Sequence, residues 1–141
     1  MIRVATLEDL PLVTEFGKKF ISEASLGNVT DLSKCEEMAK LFILSPKKEK
    51  IILLYEDIGM IAGGISPMLF SNLLVATEMM WWVNKGERSK EIGSILLNAF
   101  EYWAKEAGAN MINMNCFDDR VGKFYEKNGY SLRERIYFKD L

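Results

Sequence analysis

Residues 84–100, NKGERSKEIGSILLNAF, constrain the fold more than any other stretch of the chain. The ten residues before them, LVATEMMWWV, read as a strand from about Leu74 to Val83. A strong amphipathic helix, SKEIGSILLNAFEYWAKEAGA, starts within the stretch at about Ser89. Ile92, Ile95, Leu96, Ala99, Phe100 and Trp103 recur on one stripe, and Gly108 stops it. A helix with a single apolar stripe must lay it on another layer, and the strand just before it supplies one. The junction carries Gly86, Gly93, Arg88 and Lys90. A helix start leaves main-chain N–H groups unpaired and carries partial positive charge, so this junction can hold an anion. The alternative is an ordinary turn before an ordinary helix.

The remaining elements follow from periodicity and breakers. MIRVA reads as a short strand, and Thr6 opens a helix with Asp9 completing a variant capping box. Leu10, Val13, Phe16, Phe20 and Ile21 keep helical spacing along it. SLGNVTD breaks the pattern, and a second helix runs from about Leu32 to Leu44, with Met38, Leu41 and Phe42 expected inside. SPKKEK reads as a solvated loop. Ile51–Tyr55 and Met60–Ile65 form a hairpin around Asp57–Gly59, and PMLFSN connects it to the long strand. NMINMNCF is a strand, DRVGKFYEKNG a short helix capped by Gly129, and YSLRERIYF a final strand. The order β-α-α-β-β-β-α-β-α-β predicts one α/β domain over residues 1–141: a single mixed, mostly antiparallel sheet flanked by helices.

Composition removes several classes of chemistry. The chain has 141 residues, no histidine and two cysteines. Histidine-based triads are excluded, and a zinc site is not expected. Cys35 and Cys116 make no disulfide framework. Without a histidine to activate it, Cys116 is expected to be a buried structural thiol rather than a nucleophile. Acid–base work falls to carboxylates, Tyr, Lys, Cys or water. A net charge of −2 and a pI near 5.3 give no reason to expect nucleic acid. No stretch is apolar enough for a signal peptide or a membrane span, so a cytoplasmic protein is expected.

Three segments carry a resemblance. Arg88-Ser89-Lys90-Glu91-Ile92-Gly93, followed by SILL, is similar to the central motif of the GNAT N-acetyltransferase superfamily, Gln/Arg-x-x-Gly-x-Gly/Ala at a strand-to-helix junction. DDRVGKFYEKNGY resembles the family's Asn-x-x-Ala-x-x-x-Tyr-x-x-x-Gly-Phe segment, with Tyr125, Gly129 and Tyr130 at the Tyr, Gly and Phe positions. IRVATLEDLPLV resembles its opening strand and first helix. The resemblance covers nearly the whole chain and implies the GNAT-like acyl-CoA N-acyltransferase fold, with acetyl-CoA as co-substrate, an amine acceptor and no metal. It implies that main-chain amides of Arg88, Ser89, Lys90, Glu91, Ile92, Gly93 and Ser94 hold the pyrophosphate. It implies that the strand edge at Trp82 and Val83 pairs with the pantetheine arm. Two positions depart from the pattern. Glu91 replaces the first glycine, and Asp118 replaces the asparagine; both bear on cofactor binding.

The resemblance also implies that Tyr125 protonates the departing thiolate; the other reading is a ring packed on the sheet. Glu78, in an otherwise apolar strand, is the candidate general base, directly or through a water. The other reading is a solvent-facing alternate position. Trp81 and Trp82 point to opposite faces of a regular strand, one of them core. Residues such as Phe20, Asn28, Phe42 and Phe70 near the acceptor side specify no acceptor class. A GNAT-like fold that binds CoA or a protein partner without turnover is the second hypothesis; a toxin-type transferase acting on charged tRNA is disfavoured by the acidic pI. YSLRERIYF, as an edge strand, makes a homodimer possible.

Overall fold

The computed structural model describes residues 1–24 and 31–141. The break expected at SLGNVTD falls almost wholly on 25–30, outside the described residues, as does Asn28. The elements run β1 (Ile2–Val4), α1 (Leu10–Glu23), α2 (Leu32–Leu44), β2 (Lys50–Tyr55), β3 (Gly59–Pro67), β4 (Leu74–Val83), α3 (Ile92–Glu106), β5 (Met111–Asn113) and α4 (Asp119–Lys127). The five strands lie in sequence order, antiparallel from β1 to β4, with β5 parallel to β4. The mixed, mostly antiparallel α/β architecture is as expected.

Alternation along β2, β3 and β4 divides the core between two faces. On one face Val13 and Phe16 of α1 and Ala39, Phe42 and Ile43 of α2 meet Ile52, Leu54, Met60, Ala62 and Trp82. On the other, Ile92, Leu96, Phe100 and Ala104 of α3 meet Ile51, Leu53, Ile61, Ala76 and Val83. Each large apolar side chain fully buried here contributes about 1.5–3 kcal/mol. Close approach of α3 needs Gly63. A Cβ there would sit 2.6 Å from the Phe100 ring and closer still to the Thr77 carbonyl.

The ladder between β3 and β4 slips between Ala62 and Gly63: Ala62 faces Met80 and Gly63 faces Glu78. One extra residue, Met79, is inserted into β4, a β-bulge. Glu78 therefore shares the α3 face with Trp81, three residues on, because their partners Gly63 and Ile61 both look towards α3. Trp82 remains on the opposite face.

Several expectations are corrected. YSLRERIYF forms no strand: residues 131–141 are irregular and exposed, and no main-chain hydrogen bond joins them to the sheet. The alternation is present, but a strand exists only against a partner. The sheet's last strand, β5, is three residues long where eight were expected. On α2, Met38 and Leu41 are exposed, while Ala39, Phe42 and Ile43 are buried. On α3, Ile95 is 39% exposed and Leu97 is buried. The opening turn does match. Asp9 accepts from the Thr6 N–H at 2.8 Å and from Arg3 through two bonds of 2.6 Å. Arg3 holds the Asp9 carboxyl down at about 2.

Candidate active site

The start of α3 is built to leave donors free. β4 ends at Val83, a 3-10 turn spans Lys85–Glu87, and α3 begins at Ile92, later than the sequence suggests. Glu91 occupies the N-cap in the left-handed region, φ 63°, and its side chain makes no cap hydrogen bond. That conformation costs a non-glycine residue roughly 1–2 kcal/mol. The position is the one where the motif has glycine, so the departure is a matter of backbone geometry as much as of charge. Glu91 projects from an exposed position, as do Ser89 and Lys90. The Lys90 ammonium sits 2.8 Å from Glu87. The N–H groups of Ile92, Gly93 and Ser94 stand in the first turn, where a helix offers them no acceptor. The Ile92 side chain is buried, so only its main chain is available to a ligand. A Cβ on Gly93 would lie 3.1 Å from the Trp81 ring, which makes glycine the residue that lets α3 lie close on β4.

Arg88 is already committed. Its Nε donates to the Val83 carbonyl at 2.8 Å, and its guanidinium grips both carboxylate oxygens of Glu23 at 2.8 Å. It also stacks 4.7 Å from the Trp82 ring centroid. Arg88 thus fastens the loop to the last residue of α1, and holds the Glu23 carboxyl below its ordinary range. Val83 has its carbonyl occupied by the same contact. Beside the α3 start lies a groove of about 470 Å³ lined by Ser94, Arg120, Lys123, Phe124, Lys127 and Asn128. Arg120, Lys123 and Lys127 of α4 thus share this groove with Ser94 of α3.

β4 and β5 pair only from Val75↔Met111 to Thr77↔Asn113. Beyond Thr77 the edge of β4 turned towards β5 has no strand beside it, and its end at Trp82 and Val83 lies just before the α3 loop. Glu78 is the first residue past the last pair, 5% exposed. Burial pushes its carboxyl up to about 7, with the Asn115 N–H groups opposing. The solvent-facing alternative for Glu78 is therefore excluded. Tyr125, also 5% exposed, stacks on Trp81 with ring centroids 5.9 Å apart. Its hydroxyl donates to the Asn115 carbonyl at 2.8 Å. Burial first, then the Glu78 charge, push its phenol well above the ordinary range. Packing ring and polar hydroxyl are thus present in one side chain.

Asp118 is the N-cap of α4, its carboxylate accepting from the N–H of Arg120 at 2.9 Å and of Val121 at 3.0 Å. Both bonds need only an acceptor, so Asp serves the cap as well as Asn. Cys116 is exposed, against expectation, and its Sγ donates to the Asp118 carbonyl. Towards the acceptor side, Phe20 meets Phe117 edge-on at 5.7 Å, Phe42 is core, and Phe70 is 93% exposed. Asn115 escaped the sequence reading, which placed it inside a longer strand. A polar residue immediately before the helix-capping segment was the available signal.

Residues 47–132 match the Acetyltransferase (GNAT) domain family. The chain belongs to it. Solved structures of the same fold cover the whole chain at low identity. A transcriptional regulator from Bacillus halodurans C-125 is 19% identical, with TM-score 0.80 over 100% of this chain and 99% of its own. A probable acetyltransferase is 21% identical, with TM-score 0.78 over 100% and 96%. AAC(6')-Iy, in complex with the bisubstrate analogue CoA-S-monomethyl-acetylneamine, is 13% identical, with TM-score 0.78 over 100% and 97%. No curated protein matches the sequence significantly. Among the described residues of this GNAT domain, no helix is long and apolar enough to cross a membrane, and no cluster of metal-ligating side chains is found.

Proposed function

We propose that this GNAT domain transfers an acetyl group from acetyl-CoA to a primary amine by direct attack, in the cytoplasm. One observation carries the proposal: a helix start with free amides directly follows a strand whose outer edge is bare, with Glu78 and Tyr125 where that edge begins. The pyrophosphate would rest on the first-turn amides of α3, with the cationic α4 side nearby. The pantetheine arm would lie along β4 towards Glu78. A CoA-derived ligand on a neighbour of the same fold supports this placement.

The acceptor amine must be neutral to attack the thioester carbonyl. Its nitrogen forms the C–N bond as the C–S bond breaks. Glu78 takes the proton the amine loses, directly or through a water, and a carboxyl near 7 is matched to that task. The leaving sulfur receives the Tyr125 proton in step with C–S cleavage. Burial makes the phenol a weaker acid than a thiol, so the phenolate at once regains a proton from the Glu78 carboxylic acid or from water. Bulk water then restores both groups. The acceptor's class is not encoded in Phe20, Phe117 or Phe70, which offer apolar surface only.

Two measurements test the reading. Acetyl-CoA at ~100 times its dissociation constant should stabilise the domain by roughly 2.7 kcal/mol. Thiol release with a panel of primary amines should then show turnover. Stabilisation without turnover would favour a CoA-binding domain that does no chemistry. For Tyr125→Phe, kcat and kcat/KM should fall together, by ~100-fold or less, with acetyl-CoA affinity kept. Wild-type kcat in a chemistry-limited assay would leave Tyr125 as a packing residue.

A further inference from the structure

Asn115 touches both groups assigned to the chemistry. Its side-chain Nδ2 donates to the Glu78 main-chain carbonyl at 2.9 Å and lies 3.5 Å from the Glu78 carboxylate. Its own carbonyl accepts from the Tyr125 hydroxyl. The β4–β5 ladder has stopped two residues earlier, at Asn113, so a side-chain amide stands where the next main-chain rung would be. Among the described residues, only Asn115 assists the buried Glu78 carboxylate, through its main-chain N–H and its side-chain amide. An N–H group beside an ionised carboxylate favours the charged form, more weakly at 3.5 Å than in a short charge-assisted bond.

The titratable groups on neighbouring elements do not supply that help. Tyr125 of α4, Tyr130 beyond it and Cys116 in the loop after β5 are neutral or become anions. Glu101 of α3 is hydrogen-bonded by the Tyr130 hydroxyl at 2.7 Å. None is a cation.

We propose that Asn115 is a positioning residue for acetyl transfer: its amide holds Glu78 in place and favours its ionised form, while its carbonyl aims the Tyr125 hydroxyl. This rests on the reading of Glu78 as the base. Asn115 is exposed, so substitution leaves the two core clusters untouched.

The test follows the Glu78 carboxyl directly, by ¹³C NMR of glutamate-labelled protein across pH, in wild type, Asn115→Leu and Asn115→Asp. Loss of the side-chain donor in Asn115→Leu should move the midpoint up by a few tenths of a unit, because the main-chain N–H of residue 115 stays in place, and the second carboxylate of Asn115→Asp should move it up by about one unit. Asn115→Ala, small and without a side-chain donor, repeats the test if either variant folds poorly. The acid limb of kcat/KM should move with the carboxyl, while acetyl-CoA affinity at pH 8.5 stays within about twofold. An unmoved midpoint in folded variants overturns the proposal, because a merely structural Asn115 would not touch the titration. A midpoint that moves while the acid limb does not would detach Glu78 from the rate; the role as a positioning residue then falls along with the base. Absence of any wild-type turnover would sink the enzymatic reading instead, whatever the titration does.

Discussion

Two helices start at the open end of β4 and β5, and they start differently. α4 begins at a conventional cap: Asp118 in extended backbone takes the N–H groups of Arg120 and Val121. α3 begins at Glu91, left-handed and without a side-chain acceptor. The first start satisfies the N–H groups of Arg120 and Val121 with its own side-chain cap. The second keeps donors free at the cost of a strained residue, the pattern that marks a ligand site when the surroundings hold it in place. Here the surroundings are specific. Arg88 ties the loop to α1 through Glu23 and to β4 through Val83. Gly93 lets the helix settle against Trp81. The two starts share a strand-to-helix plan, but only the α3 start is built for an anion.

The largest break of this contrast is expected from Gly93→Val. A branched side chain would press on Trp81 and crowd the approach to the first-turn amides. Acetyl-CoA affinity should fall more than tenfold by calorimetry, with about 1–3 kcal/mol lost from stability. Normal affinity in the folded variant would remove this loop from the cofactor site.

Asp118→Ala should cost about 1 kcal/mol of stability by denaturant melting, as loss of a helix cap does. Acetyl-CoA affinity should be nearly unchanged, and Asp118→Asn should restore most of the stability. A tenfold affinity loss in Asp118→Ala with the fold intact would mean that the α4 start is a ligand site too.

Glu91→Gly should have the smallest effect and the opposite sign. Relief of the left-handed strain, about 1–2 kcal/mol, is partly offset by glycine's freedom in the unfolded chain, about 0.4–1 kcal/mol. A slightly higher Tm and equal or tighter acetyl-CoA binding are expected. A lower Tm together with weaker binding would show that the Glu91 side chain has a positive role at the α3 start.

The contrast between the helix starts explains what could be read from residues alone. The β4–loop–α3 junction was legible because apolar periodicity switches there and charged residues and glycines crowd into a few positions. The left-handed Glu91 was not, since nothing local forbids helix at Ser89-Lys90-Glu91. On α2, spacing was legible but its phase was not: Ala39 and Ile43 displaced Met38 and Leu41, because burial depends on where the sheet lies. The side of Glu78 was decided by a bulge, and a one-residue insertion defeats strict alternation. YSLRERIYF failed for a different reason: alternation describes a surface that would suit a sheet, whereas a strand requires a neighbour's main chain. Asn115 was invisible because its importance comes from what crosses the gap beside it.

Main-chain amide shifts of ¹⁵N-labelled protein during titration with CoA test the central contrast most directly. The amides of Ile92, Gly93 and Ser94 should move furthest, in the direction of stronger hydrogen bonding, while those of Arg120 and Val121, already bonded to Asp118, should move little. Saturable binding with the α3 amides unmoved, or with the α4 amides moving more, would contradict the assignment of the uncapped helix start as the pyrophosphate site.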